Sequence, residues 1–169
     1  MENHTPLKRH RAIISFSKDH HFGLLLVWKI KEGIKKSVSP ERISKYVLFF
    51  FKEDLEKHFK EEEQLLFIKL PVNDILRKQA EADHYIIYKL IDEIGKNMND
   101  IPLLDQLADT LEKHIRFEER ELFNHLQNNI HAEDLEIIAT RLANNSNEID
   151  EKWEDVFWEI KKQENEYSG

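Results

Sequence analysis

The sequence predicts an all-α protein: an up-down-up-down four-helix bundle with one or more accessory helices at its C-terminal end. Three observations carry that prediction. The 169 residues include only four glycines and four prolines, so few positions favour breaking a helix. Charged residues make up 34% of the chain and are interleaved with Leu, Ile and Phe at three- and four-residue spacings, the period of helices with one buried face. Residues 55–67 and 111–123 repeat one another, which divides the chain into two like halves.

Taken in order, the pattern gives a first helix from about Ser17 to Lys36. Ser39-Pro40 then supplies an N-cap and a proline at the first helical position, and the second helix runs to about Lys69, where Pro71 stops it. Asn73 or Asp74 caps a third helix reaching Lys96, and Asn97 to Asp100, with Pro102, forms the next connection. A fourth helix continues to about Asn128. The remainder, broken at Asn144 to Asn147, is expected to form one or two accessory helices docking through Trp153, Phe157 and Ile160. The division expected is a bundle over 1–130 and a helical extension over 131–169 packed on the same domain, since a chain of this length suits one compact unit.

Composition removes several classes of function. With no cysteine, disulfides, iron–sulfur clusters, thiolate zinc sites and Cys nucleophiles are excluded. A formal net charge of −8 argues against general nucleic-acid binding, which needs a basic surface to neutralise phosphate. No secretory segment is legible in MENHTPLKRHRAIISF, and the aromatic-aliphatic run from Tyr46 to Phe51 is far too short to span a membrane. The expectation is a soluble cytoplasmic protein; the sequence leaves its oligomeric state undetermined.

The repeat carries the chemistry. LEKHFKEEEQLLF (55–67) and LEKHIRFEERELF (111–123) agree at eight of thirteen positions. Each contains His-x-x-x-Glu, His58 with Glu62 and His114 with Glu118, and a separation of four places both side chains on one helix face one turn apart. Each copy follows a helix bearing Asp-His: Asp19-His20 and Asp83-His84.

The rows on which these residues lie are otherwise largely apolar. They read Val47, Phe51, Leu55, His58, Glu62, Leu65 on the second helix and Leu104, Leu107, Leu111, His114, Glu118, Leu122 on the fourth. The third gives Leu76, Ala80, His84, Ile87, Ile91, and the first His20, Leu24, Val27 and later Ile34. Polar groups facing one small core are costly unless they satisfy one another. A shared metal centre resolves that cost: four imidazoles and two carboxylates suit iron, manganese or zinc, and two bridging carboxylates favour a pair of ions.

These residues resemble the hemerythrin-like (HHE cation-binding) family over roughly residues 15 to 130. The likeness rests on Asp19-His20-His21, on His58 to Phe67, on Glu81-Ala-Asp-His84 and on His114 to Phe123. It implies a di-iron centre with an oxo or hydroxo bridge, held by His20, His58, Glu62, His84, His114 and Glu118, with zinc or manganese as the other metals the donor set would take. The chain departs from oxygen-carrying hemerythrins where Tyr88 stands four residues after His84 in place of a second His, so Tyr88 is itself a candidate ligand. His21 rivals His20, and Glu119 rivals Glu118. Glu81 shares a face with His84, open to being an extra oxygen ligand, a proton partner or a solvated charge.

By resemblance, the expected function is binding or reaction with dioxygen, nitric oxide or peroxide, or the sensing and holding of iron. Small diatomic or peroxide molecules are the expected partners, with neither nucleic acid nor membrane involved. Two other readings stand beside it: a metal-dependent enzyme or iron-centre repair protein, and a metal-free helical interaction module in which the His and Glu side chains form a polar network.

Overall fold

The computed structural model of the protein describes residues 8–143 and 152–159, and everything between His10 and Leu142 is helix or a short connection. The expected break at Asn144 to Asn147 and the apolar contact of Ile160 lie outside the described residues.

Helix α1 spans Arg11–Lys35, starting ahead of Ser17 because His10 caps it: its side chain accepts a hydrogen bond from the Ala12 N–H. Histidine is not among the usual capping residues, which is why the pattern alone misses this turn. The added turn buries Ala12, Ile13 and Phe16. At the other end Ser37 takes a left-handed conformation, φ 57°. The Val38 N–H then bonds the Gly33 carbonyl at 2.9 Å and the Ser37 N–H the Ile34 carbonyl at 3.1 Å, closing the helix in the Schellman manner.

A second helical rod covers 40–69, beginning with Pro40 in α2 (Pro40–Phe50). It continues through a π-helical turn at Phe51–Leu55, α3 (Glu56–Glu61), a second π turn at Glu62–Leu66 and a 3-10 turn at Phe67–Lys69. The third rod, α4 (Ile75–Lys96), is capped by Asp74, whose carboxylate accepts from the Arg77 N–H. Asp100 does the same for α5 (Ile101–Phe117) through the Leu103 N–H. That fourth rod runs on through a π turn at Glu118–Leu122 into α6 (Phe123–Asn129), and α7 (Ala132–Leu142) folds back beside α1.

Contacts between rods fix their directions. Tyr46 meets Lys29 while His58 meets Asp19, so the first two rods are antiparallel. Ser44 bonds Met98 while His84 meets Glu63, and Lys31 pairs with Asp105 while Arg9 pairs with Glu119; the same follows for the second with the third and the first with the fourth. The result is the expected bundle. No described helix is long and apolar enough to cross a membrane.

Two apolar clusters fill the interior. One, around Ile30, Tyr46, Ile87, Leu107 and Leu111, occupies one end of the bundle; the other, around Phe16, Leu66, Phe67, Leu122, Phe123 and the inner face of α7, occupies the opposite end. Two details depart from the sequence rows. Leu24 is 41% exposed and Gly23 takes the inward place on α1. Leu65 is only half-buried while Leu66 is fully enclosed, because the π turn adds a residue and rotates the row.

The C-terminal segment closes the first cluster. Phe157 is fully buried, and the Trp158 ring lies 3.9 Å from the ammonium of Lys29, itself buried and donating a hydrogen bond to the Tyr46 hydroxyl. Gly33 lets this segment approach, since a Cβ there would lie 2.8 Å from Ile43 Cδ1 and 2.9 Å from Phe157 Cε2. Gly33→Ala is therefore expected to destabilise the protein by about 1–3 kcal/mol through overpacking. Urea unfolding measures the loss, and a change in Trp fluorescence before global unfolding would locate it at Trp153 and Trp158.

Candidate metal centre

Between the two apolar clusters lies a polar layer to which all four rods contribute. It holds His20 from α1, His58 and Glu62 from the second rod, His84 from α4, and His114 and Glu118 from the fourth, all buried, with both carboxylates at 0% exposure. The repeat places them: His58 and His114 lie one turn before Glu62 and Glu118, and each Glu opens a π turn. In those turns the Phe67 N–H reaches back to the Glu62 carbonyl and the Phe123 N–H to the Glu118 carbonyl, a five-residue step that recurs at functional sites.

The side chains form two overlapping groups, His20–His58–Glu62–Glu118 and Glu62–His84–His114–Glu118, each offering ligand atoms within 4.8 Å of one another. Both carboxylates are common to the two groups. Nε2 of His58 lies 3.1 Å from Glu62 Oε1 and that of His114 lies 2.7 Å from Glu118 Oε1. His84 approaches Glu62 and His20 approaches Glu118, both at 3.4 Å.

Despite those distances, the four Nε2 atoms and four carboxylate oxygens make no hydrogen bond. An unsatisfied buried polar atom costs about 1–3 kcal/mol, so eight such atoms would consume the whole stability of a typical domain, about 5–15 kcal/mol. Nitrogen- and oxygen-binding cations would satisfy them, and the residues present fit such cations.

An outer ring of carboxylates orients the imidazoles. Asp19 faces His58 Nδ1 at 3.1 Å and Asp83 faces His114 Nδ1 at 2.9 Å. Glu63 faces His84 Nδ1 at 2.8 Å and Glu119 faces His20 Nδ1 at 2.7 Å. A Nδ1–H held by a carboxylate leaves Nε2 free to bind metal and makes it a better donor. Phe123 stacks on His20 and its repeat mate Phe67 packs on His84, which fixes both ring planes.

The remaining sequence candidates are accounted for differently. His21 is exposed, and Glu81 is exposed and paired with Arg77 along its own helix. Glu119 lies outside both ligand groups, in the outer ring, accepting also from Ser17 and Arg9. Tyr88 packs edge-on against Phe51 and Phe59 and belongs to neither group; burial and the Glu63 charge push its hydroxyl up to about 12. Asp54, which the sequence pattern does not single out, is buried beside the site, and burial together with the Asp19 charge raises its carboxyl to about 6.

Set beside known proteins, residues 10–126 match the family model described as the hemerythrin HHE cation binding domain. No curated protein and no solved structure matches the chain.

The electrostatics give opposite pH behaviour to the empty and filled centre. Burial would push the His114 imidazole down, but the Glu118 charge and the Asp83 hydrogen bond outweigh it and hold it up at about 10. His58 likewise lies well above its ordinary value against burial, through the Glu62 charge and the Asp19 hydrogen bond. A group raised on folding stabilises fully below its unfolded value, near 6.5 for His, and that contribution is lost as pH climbs through the folded value. Metal-free protein is thus expected to lose stability from about pH 6.5 upward. Cations displace those protons, so loaded protein should gain stability relative to metal-free protein over the same range, which paired urea midpoints at stepped pH would measure.

Proposed function

Because the chain belongs to the hemerythrin HHE cation-binding family, we propose that it is a non-haem di-iron protein that binds or reacts with a small oxidant such as dioxygen, nitric oxide or peroxide. In this reading His20 and His58 hold one ion, His84 and His114 the other, and Glu62 and Glu118 serve both. The observation that carries it is the eight orphaned donor atoms converging from four rods.

The donor chemistry supports iron, manganese or zinc over calcium or magnesium, because four of the six ligand side chains are imidazoles. Iron is preferred through the family. When bound, it would supply one-electron chemistry toward small oxidants.

The chain's own residues then have separate tasks. Glu62 and Glu118 neutralise charge, the outer carboxylates fix the imidazoles, and the apolar clusters on either side keep bulk water away. A metal-free polar network accounts less well for the site, since such a network requires each member to be satisfied and these eight atoms are not.

Elemental analysis of protein purified without chelator tests the reading, the expected result being two metal ions per chain. Glu62→Ala and His114→Ala should each lower that number. Asp83→Asn should retain both ions but weaken their binding by about 10- to 100-fold, the usual effect of removing an outer-shell partner, measured by chelator competition. A folded protein that could not be loaded would overturn the proposal.

A further inference from the structure

Charged side chains cover much of this protein, yet one face carries few of them. A groove runs between α4 and the fourth rod, walled by Ile75, Gln79 and Ile86 on one side and by Gln106, Thr110 and Phe117 on the other. Ile75 is 81% exposed and Ile86 44%, so large apolar side chains meet water here. The C-terminal segment leaves this face uncovered, since Phe157 and Trp158 pack on the first apolar cluster with α1 and α2.

Besides His114, three acidic or basic side chains line the groove: Asp83, Lys113 and Glu121. Asp83 is already engaged by His114 and by the Gln79 amide. Lys113 and Glu121 are exposed, and neither forms a hydrogen bond or ion pair with another described residue.

Lys113, Phe117 and Glu121 follow one another at intervals of four, so they share one outward helix face, with Phe117 midway between the two charges. That arrangement is its own complement. When a second copy lays its fourth rod antiparallel across the first at Phe117, Lys113 meets Glu121 of the partner subunit and Glu121 meets Lys113 of the partner subunit. A two-fold interface requires self-matching of this kind. Most other approaches of two copies are opposed, because each has a formal net charge of −8 and like-charged surfaces repel.

We propose that this groove is the interface of a two-fold homodimer, with Phe117 at the axis, Ile75 and Ile86 covered, and two Lys113–Glu121 pairs fixing the register. An aromatic centre poor in charge, with charged groups kept to the rim, is the usual anatomy of a specific interface. The dimer also closes over Asp83, whose side chain is 18% exposed in a single copy, and so shields the outer partner of His114 from water. The inference holds whether or not the centre carries metal.

Analytical ultracentrifugation of the full-length protein as purified, over a concentration series, tests it. Wild type is expected to dimerise. Lys113→Glu and Glu121→Lys should each weaken association about tenfold, because each turns two attractive contacts into repulsive ones, although the two changes move net charge in opposite directions. The variant carrying both exchanges should recover wild-type association, since every charge again faces its opposite. Lys52→Glu, a change at an exposed position of the second rod, should leave association unaltered. A wild type that stays monomeric up to about 100 µM, where even weak specific pairs associate, would overturn the proposal. So would a dimer indifferent to the single exchanges, or one that the double exchange fails to restore.

Discussion

The fold is organised around two carboxylates with no access to water. Glu62 and Glu118 are at 0% exposure in the middle of the bundle, where an uncompensated charge is among the costliest things a protein can bury. Four imidazoles surround them, and without metal these would have to be protonated to balance the charge, as the upward displacement of His20, His58, His84 and His114 reflects. Protons supply charge, but each joins one nitrogen to one oxygen. A cation accepts several lone pairs at once from different directions. The arrangement therefore suits metal better than it suits protons.

The outer carboxylates explain why the centre depends on the whole bundle. Asp19 orients His58 and Asp83 orients His114 within each half, whereas Glu63 orients His84 and Glu119 orients His20 across the halves. Every rod thus gives an inner ligand and receives or supplies an outer partner. Of the two consecutive acids in each repeat, Glu62 and Glu118 face Nε2 atoms while Glu63 and Glu119 face Nδ1 atoms. The π turn beginning at the first Glu rotates successive residues by less than an α turn does, which keeps both members of each pair on the inward side. Arg9, ahead of α1, neutralises Glu119, and Ser17 within α1 donates a hydrogen bond to the same carboxylate.

Much of this was legible in the sequence because repetition and periodicity agreed. The His-x-x-x-Glu pairs lie on apolar rows in both copies, and the Asp-His pairs precede both, so the six inner residues can be read from the chain alone. What fails does so for local reasons. A helix period of 3.6 assigns Leu65 to the core, while the repeat itself aligns Leu66 with the buried Leu122; the extra residue of the π turn favours the repeat. Hydrophobicity alone places Leu24 inward, yet the close contact of α1 with Ile115 needs Gly23 there. The pattern alone does not mark His10 as a cap, because its capping bond depends on backbone geometry. The matched positions of Asp19 and Asp83 are visible as a repeat, but their function as imidazole partners requires knowing which rods are adjacent.

Asp54 shows where sequence symmetry stops being a guide. It sits in the charged run Lys52-Glu53-Asp54, with no acidic counterpart in the other half, so a reading built on repetition passes over it. Its burial comes from the neighbouring rods: α1 presents Gly23 and the fourth rod presents Leu111 and Ile115 to the same small cavity. The repeated side chains give the two ligand groups like surroundings. Gly23 on α1, whose counterpart is Ile87, and Asp54 on the second rod, whose counterpart is Thr110, make the surroundings of the two groups unequal. The repeated residues build the two ligand groups, while the unrepeated ones make their surroundings differ.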